Sequence, residues 1–163
     1  MVIKVTAKHL QAIQAHAEST YPDECCGFLM GEIAGDVKIL VEVWPTENAW
    51  NPEVAEALPE MESGDKLERS RRDRFVIAPS AMLKAMKQGR DRHLTIIGIY
   101  HSHPEHPAIP SECDRALAWR QYSYIIVSVY QGKVQDLRNW SLDGEGNFQS
   151  EEIITLESAQ VKK

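Results

Sequence analysis

Tyr100-His101-Ser102-His103-Pro104-Glu105-His106-Pro107-Ala108-Ile109-Pro110-Ser111-Glu112-Cys113-Asp114 follows the apolar run Thr95-Ile96-Ile97-Gly98-Ile99. The run reads as a buried strand bounded by polar residues. Successive strand side chains point to opposite faces, so His101 and His103 share a face, roughly 6.6 Å apart along the chain. Two imidazoles at that spacing can turn onto one metal ion. Pro104 has no N–H and stops regular pairing, and Pro107 and Pro110 stiffen the connection. Ser111 suits the N-cap of a helix over Glu112 to Trp119. Asp114, in the first turn of that helix, can swing back towards the histidines. Two histidines and a carboxylate form a donor set that catalytic zinc uses while keeping a fourth position open for water.

Ser111 and Asp114 also fit a capping box, in which the acid reaches back to the cap residue. That pattern does not account for two histidines on one strand face just upstream, so the combined pattern favours a metal site.

His101-x-His103, seven residues, Ser111, two residues, Asp114 resembles the signature of the JAMM (MPN-plus) zinc metalloprotease family. That family also carries an upstream glutamate, and Pro22-Asp23-Glu24-Cys25-Cys26-Gly27-Phe28-Leu29-Met30-Gly31 matches its place, with Glu24 aligned. The resemblance extends from Lys8 to about Ile154 and is similar to the stand-alone bacterial and archaeal members. It implies an α/β fold of the cytidine-deaminase-like JAMM type, a curved mixed β-sheet flanked by helices. It implies one zinc ion with a catalytic water, held by His101, His103 and Asp114. Glu24 would serve as general base and then acid, and Ser111 would donate a hydrogen bond to the tetrahedral intermediate. The implied substrates are ubiquitin-like or sulfur-carrier proteins, cut after a C-terminal Gly-Gly tail at a peptide or isopeptide bond.

Composition narrows the alternatives. The chain has 163 residues, 43% hydrophobic and 26% charged, with net charge −6. A domain of 1–156 is expected, with an inserted loop at about 45–73 and a polar tail at 157–163. The acidic balance argues against nucleic acid as a partner. No run approaches the ~20 apolar residues that span a bilayer, so no membrane partner is expected. Three cysteines, two of them adjacent at Cys25 and Cys26, make a poor disulfide framework and fit a reducing cytoplasm. A homodimer is left open. Two other functional readings are weighed: a peptidoglycan or phage-tail-type peptidase, and a non-catalytic scaffold of the same fold. All four motif positions are present, which counts against the scaffold. A cytidine deaminase would need a Pro-Cys-x-x-Cys block that is missing.

Along the chain, Thr6 should cap a helix from Ala7 to about Ser19, with Leu10, Ile13 and Ala17 on its apolar stripe and His9 and His16 solvated. Cys25 to Ile33 should be a strand whose cysteines pack in the core. Gly31 and Gly27 suggest close approach or a bulge, and Gly27 space for a substrate strand. Val37, Ile39, Val41 and Val43 alternate with Lys38, Leu40 and Glu42, giving a half-buried strand. The loop 45–73 would carry a short helix around Pro52 to Leu58 and a basic cluster of Lys66, Arg69, Arg71, Arg72 and Arg74. Arg74 to Ile77 reads as a strand, and Ala81 to Gln88 as a helix ended by Gly89, with Leu83 and Met86 facing the core. Ser123–Val129, Val134–Ser141 and Phe148–Ile154 form a meander. Glu105 and His106 read as exposed loop residues.

Overall fold

Thr6 closes strand β1 (Val2–Thr6) and opens helix α1 (Ala7–Thr20). Its hydroxyl accepts from the His9 N–H at 3.2 Å, while its own N–H donates to His9 Nδ1 at 3.0 Å. This is a capping box with histidine in place of the usual acid. The computed structural model describes residues 1–50, 75–111, 114 and 118–156. The short helix, the basic cluster and most of the loop expected between 45 and 73 lie outside the described residues, as does the tail 157–163. Pro45 and Thr46 belong to a strand.

The strands that follow are β2 (Cys26–Ala34), β3 (Val37–Thr46), β4 (Thr95–Pro104), β5 (Ser123–Tyr130), β6 (Lys133–Leu142), β7 (Phe148–Ser150) and β8 (Glu152–Leu156); helix α2 (Pro79–Asp91) precedes β4. They form one mixed eight-stranded sheet in the order β7-β6-β5-β4-β2-β3-β1-β8. The pairs β4/β5, β1/β3 and β1/β8 are parallel. The meander ends at β7, because β8 leaves to pair with β1 at the far edge.

Two apolar clusters cover the sheet. One gathers Ile13 and Ala17 of α1 with Leu29, Leu40, Ile97, Ile125 and Val127. The other gathers Ala85 of α2 with Phe28, Met30, Ile96, Ile99 and Tyr124. Ile97 is an extra residue on β4, since Leu29 pairs with Gly98 and Met30 with Ile96. Such a bulge resets which side chains face which layer. Ile99 therefore joins the α2 layer and Tyr100 the α1 layer.

Several expectations change in the folded chain. His9 and His16 are not free in solvent: His9 Nε2–H donates to the Val41 carbonyl at 3.0 Å, and His16 Nδ1 pairs with the Tyr100 hydroxyl at 2.7 Å. Gly27 leaves no room for a substrate strand, because a Cβ there would lie 2.3 Å from the Tyr100 ring. Leu83 and Met86 are each 54% exposed, and Ala85 and Gly89 are the buried residues of α2. Gly89 does not end that helix; it lets the Leu94 carbonyl approach to 2.8 Å of where a Cβ would sit. Phe75 to Ile77 are not a strand; side-chain and main-chain bonds from residues 48 and 49 hold them instead. Of the helix expected at Glu112–Trp119, Asp114 is helical, Ala118 and Trp119 are not, and the remaining residues lie outside the described set. On β3 the buried positions are Lys38 and Leu40, the reverse of the expected face.

Candidate metal centre

The pairing of β2 with β4 sets Cys26 opposite His101. Glu24, two residues before Cys26, is thereby drawn in beside the histidines at 4% exposure. Its Oε1 lies 3.6 Å from His101 Nδ1. The alternation expected from the sequence holds: the His101 and His103 rings lie together, centroids 5.0 Å apart, while Ser102 between them turns to the other side and binds Cys25. Ser102 Oγ accepts from the Cys25 N–H at 2.8 Å, and the Ser102 N–H donates to the Cys25 carbonyl at 3.2 Å.

Asp114 closes the group. Oδ1 is 3.3 Å from His101 Nε2, and Oδ2 is 3.2 Å from His103 Nε2. The Ser111 N–H donates to Asp114 Oδ2 at 2.8 Å, and the Asp114 N–H donates to Ser111 Oγ at 3.0 Å. The capping box and the approach to the histidines therefore coexist. Burial acts to raise the Asp114 carboxyl, but the His101 and His103 imidazoles and the Ser111 N–H outweigh it and hold the group well below the usual carboxylate range.

The arrangement fits a cation on grounds internal to the chain. His103 Nδ1 meets the Pro107 carbonyl at 3.0 Å. A carbonyl only accepts, so Nδ1 carries the proton, and in a neutral ring Nε2 presents a lone pair. That lone pair faces a carboxylate oxygen, an acceptor against an acceptor, which calls for a shared cation or proton. His101 Nδ1 is buried without a hydrogen-bond partner. The donor set, two imidazoles and carboxylates, suits zinc. Glu24, His101 and His103 also each offer one ligand atom within 4.8 Å of the others. Asp114 comes nearer to His101 than Glu24 does, 3.3 against 3.6 Å, and it engages both rings, one with each oxygen.

Three supports were not visible in the sequence. Phe75 stacks on His101 with centroids 4.4 Å apart and planes at 26°. The Pro107 carbonyl orients His103, and Asn48 Nδ2 donates to the Glu24 carbonyl at 3.2 Å. Main-chain partners and contacts distant in sequence leave no local pattern to read. The cysteines beside Glu24 pack as expected: burial pushes the Cys25 thiol up to about 12 and the Cys26 thiol up as well, so neither is poised as a thiolate. Glu105 is exposed but engaged, its Oε2 accepting from Tyr21 Oη at 2.8 Å and the Gln131 N–H at 2.6 Å.

Residues 6–143 match the family model described as prokaryotic homologs of the JAB domain. The chain belongs to that family. Among curated relatives, it is 40% identical over 52 residues to a probable TtuB-protein conjugate cleaving protease of Thermus thermophilus, covering 32% of this chain and 35% of that protein. It is 32% identical over 109 residues to a desampylase of Haloferax volcanii, covering 66% of this chain and 63% of that one. The chain thus spans about a third of one of these curated relatives and just under two thirds of the other. A solution structure from Desulfitobacterium hafniense superposes with a TM-score of 0.75 at 28% identity, covering 96% of this chain and 94% of that one. A JAB1/MPN domain protein from Archaeoglobus fulgidus shares the fold, with a TM-score of 0.50 at 22% identity over 94% of this chain and 99% of that one. The JAMM-type fold expected from the sequence, a mixed β-sheet flanked by helices, is therefore the one found. No helix among the described residues is long and apolar enough to cross a membrane.

Proposed function

We propose that this JAB-domain chain is a zinc-dependent hydrolase of peptide or isopeptide bonds that follow the C-terminal Gly-Gly tail of a ubiquitin-like or sulfur-carrier protein. The observation that carries the reading is the convergence of His101 Nε2, His103 Nε2 and both Asp114 oxygens, at 3.2 and 3.3 Å, with the Glu24 carboxylate beside them. The two relatives, one named as a probable TtuB-protein conjugate cleaving protease and the other as a desampylase, support the substrate class. The buried thiols Cys25 and Cys26 support a reducing, cytoplasmic setting.

His101, His103 and Asp114 would hold the ion. Zinc, when bound, supplies a Lewis acid that polarises a carbonyl and makes a water more acidic. Glu24 takes a proton from the attacking water onto a carboxylate oxygen and returns it to the leaving nitrogen, so that amide and water become carboxylic acid and amine. The Ser111 hydroxyl oxygen accepts from the Asp114 N–H, which leaves its own O–H free to donate to the developing oxyanion. A groove of about 790 Å³ between β2, β3 and α2, lined by Phe28, Trp44, Thr46, Ala81 and Ala85, lies beside this centre rather than over it. Thr46 at its end pairs with Cys26, which pairs with His101. The groove offers an extended tail a path to the histidines.

The test is intact-mass analysis of ubiquitin-like and sulfur-carrier proteins extended beyond Gly-Gly, incubated with the zinc-loaded protein and with Glu24→Gln. Cleavage after Gly-Gly by the wild type alone is expected. Cleavage of muropeptides instead would transfer the site to a cell-wall peptidase, and failure to bind zinc would make the chain a scaffold.

A further inference from the structure

Asn48 lies two residues beyond β3 and joins three separate pieces of chain. Its Nδ2 donates to the Glu24 carbonyl at 3.2 Å. Its Oδ1 accepts from the Trp50 N–H at 3.0 Å and from the Val76 N–H at 3.2 Å. The Ala49 N–H donates to the Val76 carbonyl at 2.8 Å, so residues 48–50 and 75–77 run side by side. Phe75, next to Val76, is the ring stacked on His101. These partners fix the amide orientation, because two N–H donors need the oxygen and a carbonyl needs the nitrogen. A side chain of this length with only acceptors, or with none, cannot satisfy all three.

The Glu24 carbonyl and the Cys25 N–H belong to one rigid peptide plane. Asn48 holds the plane by its oxygen and Ser102 holds it by its N–H at 2.8 Å. Ser102 stands between the two histidines on β4. The plane that carries Glu24 is therefore pinned from the histidine strand on one edge and from the segment covering His101 on the other.

We propose that Asn48 is a positioning residue for the reaction: through the Glu24–Cys25 peptide plane it sets where the Glu24 carboxylate stands relative to His101 and His103. The inference rests on the reading of Glu24 as the proton carrier. A displacement of a reacting group by about 1 Å can cost on the order of a hundredfold in rate, so a main-chain clamp on the base has a catalytic consequence without touching substrate.

Asn48→Asp separates this role from loop support. It keeps an oxygen for Trp50 and Val76 but sets an acceptor against the Glu24 carbonyl. By amide hydrogen exchange, Trp50 and Val76 should stay within about threefold of wild type, while the Cys25 amide exchanges about tenfold faster. With the Gly-Gly-extended substrate that the wild type cleaves, kcat should fall about 10- to 100-fold with KM within about threefold. Zinc stoichiometry should be unchanged. Asn48→Ala should show the same Cys25 and kcat effects and also release Trp50 and Val76. A wild-type Cys25 exchange rate or a wild-type kcat in Asn48→Asp overturns the proposal. Glu24→Gln, run in parallel, separates the two readings: normal turnover there removes Glu24 as the base, whatever Asn48 does. If the wild type cleaves none of the substrates, the exchange rates alone decide the clamp.

Discussion

Ser111 and Asp114 are bonded to each other twice, with the Ser111 N–H on Asp114 Oδ2 at 2.8 Å and the Asp114 N–H on Ser111 Oγ at 3.0 Å. The pair closes a capping box and at the same time fixes the carboxylate that faces both histidines. One short motif thus serves local capping and site geometry together.

Ser111→Ala separates these roles. It removes the hydroxyl assigned to the oxyanion and the acceptor for the Asp114 N–H, but the main-chain bond to Oδ2 survives. Turnover should fall about 10²- to 10³-fold, and zinc affinity by only about tenfold. Steady-state kinetics and chelator competition read the two effects. Weakened zinc with unchanged kcat would reduce Ser111 to a cap.

Zinc content distinguishes ligand from base. After dialysis, Glu24→Gln should retain about one equivalent by elemental analysis, and Asp114→Asn much less, because a neutral amide is a far poorer zinc ligand than a carboxylate. The opposite ranking would make Glu24, His101 and His103 the binding set.

Lys38 and Glu151 form a fully buried pair at 3.2 Å, with Glu151 also accepting from Ser123 Oγ and Asn139 Nδ2. Lys38→Met leaves a carboxylate stranded in the core and should cost about 3–5 kcal/mol in urea unfolding. Lys38→Met with Glu151→Leu should recover most of that loss, since neither charge then remains buried. Additive losses would mean that the two side chains act independently.

Glu105 gives a pH signature. The Gln131 N–H and the Tyr21 hydroxyl hold its carboxyl below the usual 4.5. A folded-state value below the unfolded one favours folding above the unfolded value, and that gain is lost as pH falls through the folded value. The difference in Tm between wild type and Glu105→Gln should therefore be constant from about pH 7 to pH 5 and shrink below about 4.5. A difference that instead grows on acidification would reverse the assignment.

Strand alternation alone put His101 and His103 on one face, and the Ser111-x-x-Asp114 spacing, read together with them, set a carboxylate where it could return to them. Both are neighbour relations along one stretch of chain, which periodicity encodes. The start of α1 at Thr6 was legible for the same reason. Lys38 was not: its partner Glu151 stands 113 positions away, and only the assembled sheet shows that this face of β3 turns inward. The same holds for β8, which passes to the far edge beside β1 rather than completing the meander. Glu24 could be aligned by motif, but its reach to His101 depends on β2 pairing with β4 in one register. Asn48, Ser102 and Phe75 left no signal because each acts through a main-chain group or a ring brought close only by folding. The sequence by itself determined which side chains could share an ion; the tertiary structure decided what holds them there, since packing and hydrogen bonding between distant segments leave no period in the chain.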